Sequence, residues 1–299
     1  MPLFDITILT DSWFLGKAQR NSHIEGIMQE DQLVQRALEK RGLKVRRINW
    51  DHPDVDWSNT RYILFRSTWD YFERFPEFES WLEEVKSLSS MLNPYKIIRW
   101  NLDKHYLLEL AAKGIHIPPT RFMEQGEQKS LKEFVAETDW REIILKPVVS
   151  GAARHTYRFK PGESDQYEEI FHKLIHDEAM MIQEFQHQVP EKGELSFVVI
   201  GGRFTHAVLK KAKSGDFRVQ DEFGGTLHSY DPSKEEIAFA EAVVSSCEEQ
   251  ALYARVDAIW DNQNQLAISE LELIEPELWF RFNPDAAEKL ADAFIRYDQ

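Results

Sequence analysis

Three acidic residues near the C-terminus have a spacing that suits a metal-binding site. Asp257 lies on one predicted strand, and Glu270 and Glu272 lie on the next. Because side chains alternate between the faces of a strand, Glu270 and Glu272 point to the same side. With Asp257 opposite them, three carboxylates would converge, and their repulsion favours binding of a hard cation such as magnesium. The alternative is a solvated strand face, which the apolar Leu271 and Leu273 disfavour because they indicate that one face is buried.

Basic side chains that could bind phosphate are dispersed along the chain. Lys104 stands at the start of a predicted helix, Lys146 ends an apolar strand, and Lys210 and Arg218 follow a predicted hairpin. No Walker-type glycine-rich loop is present, so a triphosphate site would have to be assembled from separate side chains. Ser150-Gly151, shortly after Lys146, could offer backbone N–H groups to phosphate oxygens. Taken singly, each of these residues is more typical of the surface.

A short polar segment could frame a purine ring. Gln183, Glu184 and Phe185 follow the apolar strand at 180–182, and backbone groups of such a connector can pair with the edge of adenine. Glu194 could accept hydrogen bonds from ribose hydroxyls. The same pattern is equally typical of an ordinary strand end.

Four further residues are candidates for contact with a substrate. Arg66 and Asp70 follow a strand of the first domain, where open α/β sheets bind ligands. Arg255 and Arg281 could pair with a substrate carboxylate. A structural turn and simple salt bridges are the alternatives.

The elements that must position these residues change character along the chain. The first part alternates strands and a helix, at 6–9, 30–41, 44–48 and 62–65, which predicts a parallel α/β sheet. A helix is predicted from Lys104 to Lys113. Later, Gly201-Gly202 predicts a hairpin between strands 195–200 and 203–209. Strands 256–260 and 266–273 and a helix at 285–295 complete the pattern.

Composition limits the partners and the compartment. The 299 residues carry 51 acidic and 36 basic side chains, a formal charge of −15, which argues against nucleic acid or an anionic membrane as partner. One cysteine excludes an intramolecular disulfide, and the N-terminus lacks a signal-peptide pattern. We expect a cytoplasmic protein, and the sequence leaves open whether it forms a homo-oligomer.

The order of these pieces resembles the ATP-grasp superfamily, over about residues 90 to 284. A lysine opening a helix, a Lys-Pro strand, an acidic linker, a Lys/Arg pair near glycines and Asp…Glu-x-Glu succeed one another. The chain is similar to the glutathione-synthetase-like branch and, within it, to O-ureido-serine cyclo-ligases of cycloserine biosynthesis. The motifs that carry this likeness are Arg66-Ser67-Thr68-Trp69-Asp70-Tyr71, Asn101-x-Asp103-Lys104, Gly215-Asp216-Phe217-Arg218-Val219-Gln220 and Glu270-x-Glu272-x-x-Glu275-Pro276.

The resemblance implies an ATP-grasp fold, of α/β class and α+β overall, behind a parallel N-terminal domain. We expect an N-terminal domain at 1–92, a lid subdomain at 93–182 and a C-terminal subdomain with the metal site at 183–299. ATP and Mg²⁺, with two ions and Mn²⁺ as an alternative metal, are the implied cofactors. Small-molecule carboxylate and amine substrates are the implied partners.

Roles follow from the resemblance position by position. Phosphates would contact Lys104, Lys146 and the loop at Ser150 and Gly151, while Lys210 and Arg218 would act in catalysis by neutralising the transferring phosphoryl group. The adenosine would contact Gln183, Glu184, Phe185 and Glu194. Asp257, Glu270 and Glu272 would bind magnesium. Two departures are visible: Gly151 is alone where many relatives have several glycines, and Glu272 stands where many have Asn.

The implied activity is ATP-dependent ligation of a small carboxylate, from an amino acid or peptide, to an amine through an acyl phosphate. Two alternatives remain open from the residues. One is a module that binds ATP without turnover. The other is a hydrolase that uses Glu270 and Glu272 as general acid and base, although neighbours two apart on one strand suit that chemistry poorly.

Overall fold

We describe a computed structural model, which covers residues 2–15, 22–213, 215–216, 218–219 and 224–298. Three sheets form the framework. No helix of the described residues combines the length and apolar character needed to span a membrane.

The N-terminal sheet is parallel, as its alternating strand and helix pattern predicts. Its strands β1 (Phe4–Thr10), β2 (Val45–Asn49), β3 (Thr60–Ser67) and β4 (Ser90–Leu92) are ordered β2-β1-β3-β4. Helices α1 (Ser22–Glu39) and α2 (Phe75–Val85) connect them. The apolar side chains Ile6, Ile8 and Leu64 are fully or almost fully buried, which is typical of a sheet covered on both faces.

Two short helices lead into a second sheet. They are α3 (Tyr95–Asn101) and α4 (Tyr106–Ala112), so Lys104 lies in the turn before α4 and the prediction of a helix beginning at Lys104 was wrong by two residues. Strands β5 (Thr120–Met123), β6 (Ile143–Pro147), β7 (Tyr157–Phe159) and β8 (Met180–Glu184) form an antiparallel sheet ordered β5-β8-β6-β7. Helices α5 (Leu131–Ala136) and α6 (Glu168–Asp177) accompany it.

The third sheet carries most of the acidic candidates. After α7 (Val189–Lys192) come β9 (Glu194–Ile200), β10 (Arg203–Lys211), β11 (Thr226–Tyr230), α8 (Lys234–Ser245), β12 (Tyr253–Trp260), β13 (Leu266–Glu272) and α9 (Asp285–Tyr297). The strands are antiparallel and ordered β11-β10-β9-β12-β13. The predicted Gly-Gly hairpin is confirmed, since Gly201 and Gly202 have φ of 56° and 75° and join β9 to β10. Positive φ at both turn positions matches the twist of a two-residue hairpin.

The α/β class with a parallel N-terminal domain is therefore confirmed. The division at residues 92 and 182 stays a prediction, and its second boundary falls within β8. The C-terminal helix α9 returns to the N-terminal domain, where Arg41 forms ion pairs with Glu288 and Asp292. The buried hydroxyl of Tyr253 donates to carbonyl groups of Phe65 and Ile274, which ties the third sheet to the first.

Candidate functional site

A cavity of about 540 Å³ lies where the three sheets meet. Its walls come from β6, β8, β10, β12, β13 and the segments that follow β3, β6 and β13. The cavity gathers every residue that the sequence suggested for ATP, phosphoryl transfer or metal: Lys104, Lys146, Ser150, Gly151, Gln183, Glu184, Phe185, Glu194, Lys210, Arg218, Asp257, Glu270 and Glu272. Residues that are up to 168 positions apart in the chain thus share one chamber, as Lys104 and Glu272 illustrate.

Lys104 is buried at the centre of this chamber. Its backbone N–H donates to Val148, which fixes the turn before α4 against the strand that leads into the cavity. Its ammonium group donates to the carbonyl of Ser150 at 2.6 Å and lies 2.9 Å from Glu270. The side chain therefore joins the loop after β6 to the carboxylates of β13.

Lys146 has a different environment, although it lines the same cavity. Burial lowers its pKa from the usual 10.5 to about 8, and the neighbouring Lys104 adds to this while Glu270 opposes it. Among the described residues, Lys146 forms no ion pair, whereas Lys104 is paired with Glu270. A buried ammonium without a counter-ion favours an anionic ligand, because the anion restores the lost solvation.

The cross-strand geometry of the acidic residues was predicted correctly. Asp257 on β12 is the direct partner of Glu270 on β13. Asp257 also accepts from Arg255 at 2.9 Å, Lys210 at 3.0 Å and Ser196 at 2.6 Å. Burial opposes ionisation of Asp257, but the two cations outweigh it and hold its pKa below the usual range.

The two glutamates of β13 differ in charge environment. Burial opposes ionisation of Glu270, yet Lys104 and Lys146 lower its pKa. Burial raises the pKa of Glu272 to about 8, and nearby carboxylates add to this although Arg255 contacts it. These basic contacts also argue against the hydrolase alternative, since a general acid–base pair needs carboxyl groups open to the substrate.

The donor set suits magnesium in type but is engaged with cations. Carboxylate oxygens are the ligands that Mg²⁺ prefers. Within the described ranges, however, no three His, Cys, Asp or Glu side chains surround a common point as a metal site requires. Lys104, Lys210 and Arg255 lie against the acids instead. Binding of an ion here requires these basic groups to move towards an incoming anion.

Two of the three residues predicted to frame adenine lie within a strand and not in a connector, because β8 continues to Glu184, and Phe185 follows the strand. The backbone N–H of Glu184 donates to Pro119, and that of Phe185 donates to Glu142, so neither donor is open to a purine. The ring of Phe185 lies under the guanidinium group of Arg158, 3.6 Å from its centroid. Glu194, whose pKa is raised by burial, accepts from Ser269 at 3.0 Å and also contacts Lys210.

The loop after β6 takes an unusual backbone path. Ala152, Ala153 and His155 have φ of 49°, 56° and 48°, a left-handed conformation that glycine adopts at little cost. A Cβ on Gly151 would lie 2.6 Å from the ring of Phe72, so only glycine fits that close approach. Non-glycine residues after Lys146 therefore adopt the left-handed backbone conformation that additional glycines would otherwise provide.

Arg218 contributes to the opposite wall, where it pairs with Asp216 at 2.8 Å. Phe217 and Gln220 of the same predicted motif lie outside the described residues.

The four substrate candidates separate into two groups. Arg255 lines the cavity, with its guanidinium group 4.7 Å from the ring centroid of Trp279. Arg66, Asp70 and Arg281 are not among the lining residues. Arg66 is buried against Glu30, Asp70 accepts from Trp50 and Arg74, and Arg281 pairs with Glu277. Each of the three is engaged by other side chains outside the cavity lining, and the suggestion that they contact substrate stays a prediction.

Sequence reasoning missed several residues of the cavity. Glu275, Glu277 and Trp279 line it from the segment after β13. Trp69, Tyr71 and Phe72 line it from the segment after β3. The run of acids and aromatic residues between 269 and 282 was the available signal, but charge alternation alone does not distinguish a cavity wall from a surface loop.

The missed segment Glu275–Phe280 is fixed by the N-terminal domain. Trp69 donates from its indole to the carbonyl of Glu275 at 2.9 Å, and Arg66 donates to the carbonyl of Pro276 at 3.0 Å. The buried carboxylate of Glu30 accepts the backbone N–H groups of Leu278 and Phe280, at 2.7 and 3.1 Å. Arg66 and Glu30 therefore position this cavity wall.

Comparison with known proteins identifies the two parts of the chain separately. Residues 6–93 match the family model for the N-terminal domain of D-cycloserine synthetase DcsG. Residues 108–269, more than half of the chain, match the model for the prokaryotic glutathione synthetase ATP-grasp domain. The cycloserine biosynthesis protein DcsG of Streptomyces lavendulae is 26% identical over 270 residues, covering 84% of this chain and 88% of that protein.

Solved structures share the whole fold. The crystal structure of D-cycloserine synthetase DcsG superposes with a TM-score of 0.86 at 23% identity, covering 98% of this chain and 99% of that one. The macrocyclase MdnC from Microcystis aeruginosa, bound with its precursor peptide MdnA, gives a TM-score of 0.63 at 17% identity, covering 98% of this chain and 99% of that one. The predicted ATP-grasp fold behind an α/β domain is therefore confirmed.

Proposed function

Because the chain belongs to the ATP-grasp family of prokaryotic glutathione synthetases and is thus an ATP-dependent ligase, we propose that it activates a small carboxylate as an acyl phosphate. The carboxylate oxygen attacks the γ-phosphorus of ATP and ADP leaves. An amine nitrogen then attacks the acyl carbon, inorganic phosphate leaves, and the nitrogen loses a proton. The amine belongs to the same molecule, giving a ring, or to a second molecule, giving an amide.

One observation carries this proposal: dispersed cations and acids that the sequence suggested for nucleotide binding line a single cavity. Lys104 and Lys146 supply the phosphate-binding charge, together with N–H groups of the loop at Ser150 and Gly151. Lys146 is the more informative of the two lysines, since it forms no ion pair among the described residues and burial lowers its pKa to about 8. The end of β8 and Glu194 border the space for adenosine.

The charge of the walls supports a metal-bound nucleotide. The lining residues include eight carboxylate side chains and five lysines or arginines, so a triphosphate alone would add negative charge to an acidic chamber. Asp257, Glu270 and Glu272 would hold magnesium, which supplies the positive charge that neutralises phosphate oxygens. The ATP-grasp ligases of this family use ATP with magnesium. The number of magnesium ions that bind in this cavity is part of what we propose.

The chain's own cations then stabilise the transferring group. Attack of a carboxylate on a phosphate brings two anions together, and fixed positive charge in a buried site lowers that barrier. Lys210 is buried between Glu194 and Asp257, and Arg218 faces the same space. Arg255 is positioned by Asp257 and Trp279 to pair with a substrate carboxylate.

The relatives support a ring-forming or amide-forming reaction on a small substrate. Two matched proteins carry names that denote cyclisation, a cycloserine synthetase and a macrocyclase. The first resembles this chain over both domains, including the N-terminal part. A small amino-acid-like substrate therefore suits the proposal better than a long peptide.

Calorimetric titration with a non-hydrolysable ATP analogue and magnesium tests the nucleotide site. We expect Lys146→Met to weaken binding at least 100-fold, because it removes a buried charge that pairs with phosphate. Lys132→Met is the matched control, since Lys132 is exposed and pairs with the exposed Asp165. Equal affinity in wild type and Lys146→Met, or no binding by wild type, contradicts the proposal. If the protein binds ATP but no carboxylate stimulates ADP formation, the proposed ligase reaction is contradicted and the nucleotide site is not.

A further inference from the structure

The ionisable side chains of the cavity differ in whether the protein neutralises them. Asp257, Glu270, Glu272 and Glu277 each have a lysine or arginine within ion-pair distance, and so does Glu194. Within the described ranges, the lining carboxylates that lack such a partner are Glu73, Glu184 and Glu275. These three are therefore the acids open to a cationic ligand.

The positions of these three acids distinguish them. Glu73 is exposed to solvent, where water competes with any ligand charge. Glu184 ends β8, at the part of the cavity assigned to the adenine ring. Glu275 follows β13, beside the acids of the phosphoryl-transfer region and next to the N-terminal domain. Of the three, Glu275 is the one that is not fully exposed and lies beside Glu270 and Glu272, away from the end of β8.

The surroundings of Glu275 suit a primary ammonium group. Tyr71 lies beside the carboxylate of Glu275 and acts to lower the pKa of Glu275, and the two carboxylate oxygens offer several acceptor positions. Trp69, Tyr71, Phe72 and Trp279 supply aromatic walls in the same cavity, and aromatic faces attract cations. Burial raises the pKa of Glu275 to about 7, which is the response of a carboxylate that lacks a counter-ion.

We propose that Glu275, oriented by Tyr71, binds a primary ammonium group of the substrate and so selects amino acids over the corresponding hydroxy acids. This inference rests on the proposed ligase function. Two of the lining charges that lack an ion-pair partner among the described residues then have complementary ligands. Lys146 takes the phosphate of ATP, and Glu275 takes the ammonium group of the substrate.

The backbone of Glu275 is held firmly enough for such selection. Its carbonyl accepts from the indole of Trp69, and the next residue is held by Arg66. A carboxylate fixed before binding loses little conformational freedom when it pairs with an ammonium group. A hydroxyl in place of that ammonium group would leave the charge of Glu275 without a partner.

The test uses the full chain saturated with ADP and magnesium. The probes are the standard amino acids, in both enantiomers where these exist, each beside the 2-hydroxy acid with the same side chain. Binding is measured by calorimetric titration, after ATP-analogue binding has been established separately. We expect at least one amino acid to bind and its hydroxy-acid counterpart to bind at least tenfold more weakly.

Variants assign this preference to Glu275. Glu275→Gln should weaken binding of the selected amino acid at least tenfold and leave ATP-analogue affinity within twofold, which also shows that the variant is folded. Glu275→Asp should retain the preference for the amino acid, because it retains the charge. Tyr71→Phe should weaken binding two- to fivefold. Glu73→Gln is the matched control, since it removes an exposed carboxylate of the same cavity, and should change binding less than twofold.

Three results overturn the inference while leaving nucleotide binding intact. They are equal binding of an amino acid and its hydroxy acid, wild-type affinity in Glu275→Gln, and no binding of any amino acid at 10 mM, which is roughly the weakest affinity that a specific small-ligand site would show. Failure of wild type to bind the ATP analogue would instead remove the proposed function itself.

Discussion

Two segments that border the cavity are held in place by different means. The wall Glu275–Phe280 is fixed by hydrogen bonds from another domain, through Trp69, Arg66 and Glu30. The loop at 150–155 combines turns within itself, such as the bond from the N–H of Arg154 to the carbonyl of Gly151 at 2.9 Å, with outside contacts from Lys104 to Ser150 and from Arg154 to Glu178.

The two segments also differ in the source of the free-energy cost of holding them in place. Arg66 and Glu30 are buried charges, with 2% and 4% of their surface exposed, so their loss would leave an uncompensated charge. The loop stores its cost in the left-handed backbone of Ala152 and Ala153. The comparison teaches that the wall Glu275–Phe280 is fixed by buried electrostatics, whereas the loop at 150–155 is held in a conformation that costs free energy.

The largest expected effect is a loss of stability when the ion pair that fixes the wall Glu275–Phe280 is removed. Arg66→Met should lower the free energy of unfolding by about 3–5 kcal/mol, because it leaves the carboxylate of Glu30 buried and unpaired. Adding Glu30→Gln should recover part of this loss, since the double variant has no unpaired charge. Chemical denaturation measures both, and Lys132→Met, at an exposed ion pair, should cost less than about 0.5 kcal/mol. A double variant no more stable than Arg66→Met would contradict the role of the buried charge.

A smaller effect is expected when pH changes the charge of Lys146 and with it the affinity for ATP. The pKa of Lys146 is about 8, so its ammonium form predominates below pH 8 and is lost above it. Phosphate binds the charged form. ATP affinity should therefore fall as pH rises through 8, by up to about tenfold per unit, and binding at pH 9 should take up nearly one proton.

Calorimetry at pH 7 and 9, in two buffers of different ionisation enthalpy, measures this uptake. Lys146→Arg should abolish the pH dependence, because a guanidinium group stays charged throughout this range. An affinity that changes less than twofold between pH 7 and 9 in the wild type would count against an uncompensated Lys146.

The smallest expected effect is on stability, from a substitution in the loop at 150–155. Ala153→Gly should raise the free energy of unfolding by roughly 0.5–1 kcal/mol, because glycine removes the left-handed penalty at φ of 56° but adds some unfolded-state entropy. Thermal unfolding measures the shift. Ala111→Gly, within the right-handed helix α4, should change stability by a similar amount in the opposite direction. The same sign for both variants would show that the loop backbone is not strained.

Local sequence patterns predicted much of the framework. The parallel N-terminal strands, the Gly201-Gly202 hairpin and the pairing of Asp257 with Glu270 are short-range or adjacent-strand features that periodicity and turn residues encode. Element ends were less well predicted. The helix before Lys113 begins after Lys104, and β8 extends through Glu184, because hydrogen bonds to distant partners decide where an element stops.

By itself, the sequence determined the types and order of the elements and many of the residues that line the cavity. It could not determine which of the charges near the cavity face inward. Arg66 and Arg281 turned out to be paired behind the wall, while Glu275 faces the chamber without a cation partner among the described residues. That outcome depends on burial and on which opposite charges the packed domains bring within a few ångströms, and only the tertiary structure decides these distances.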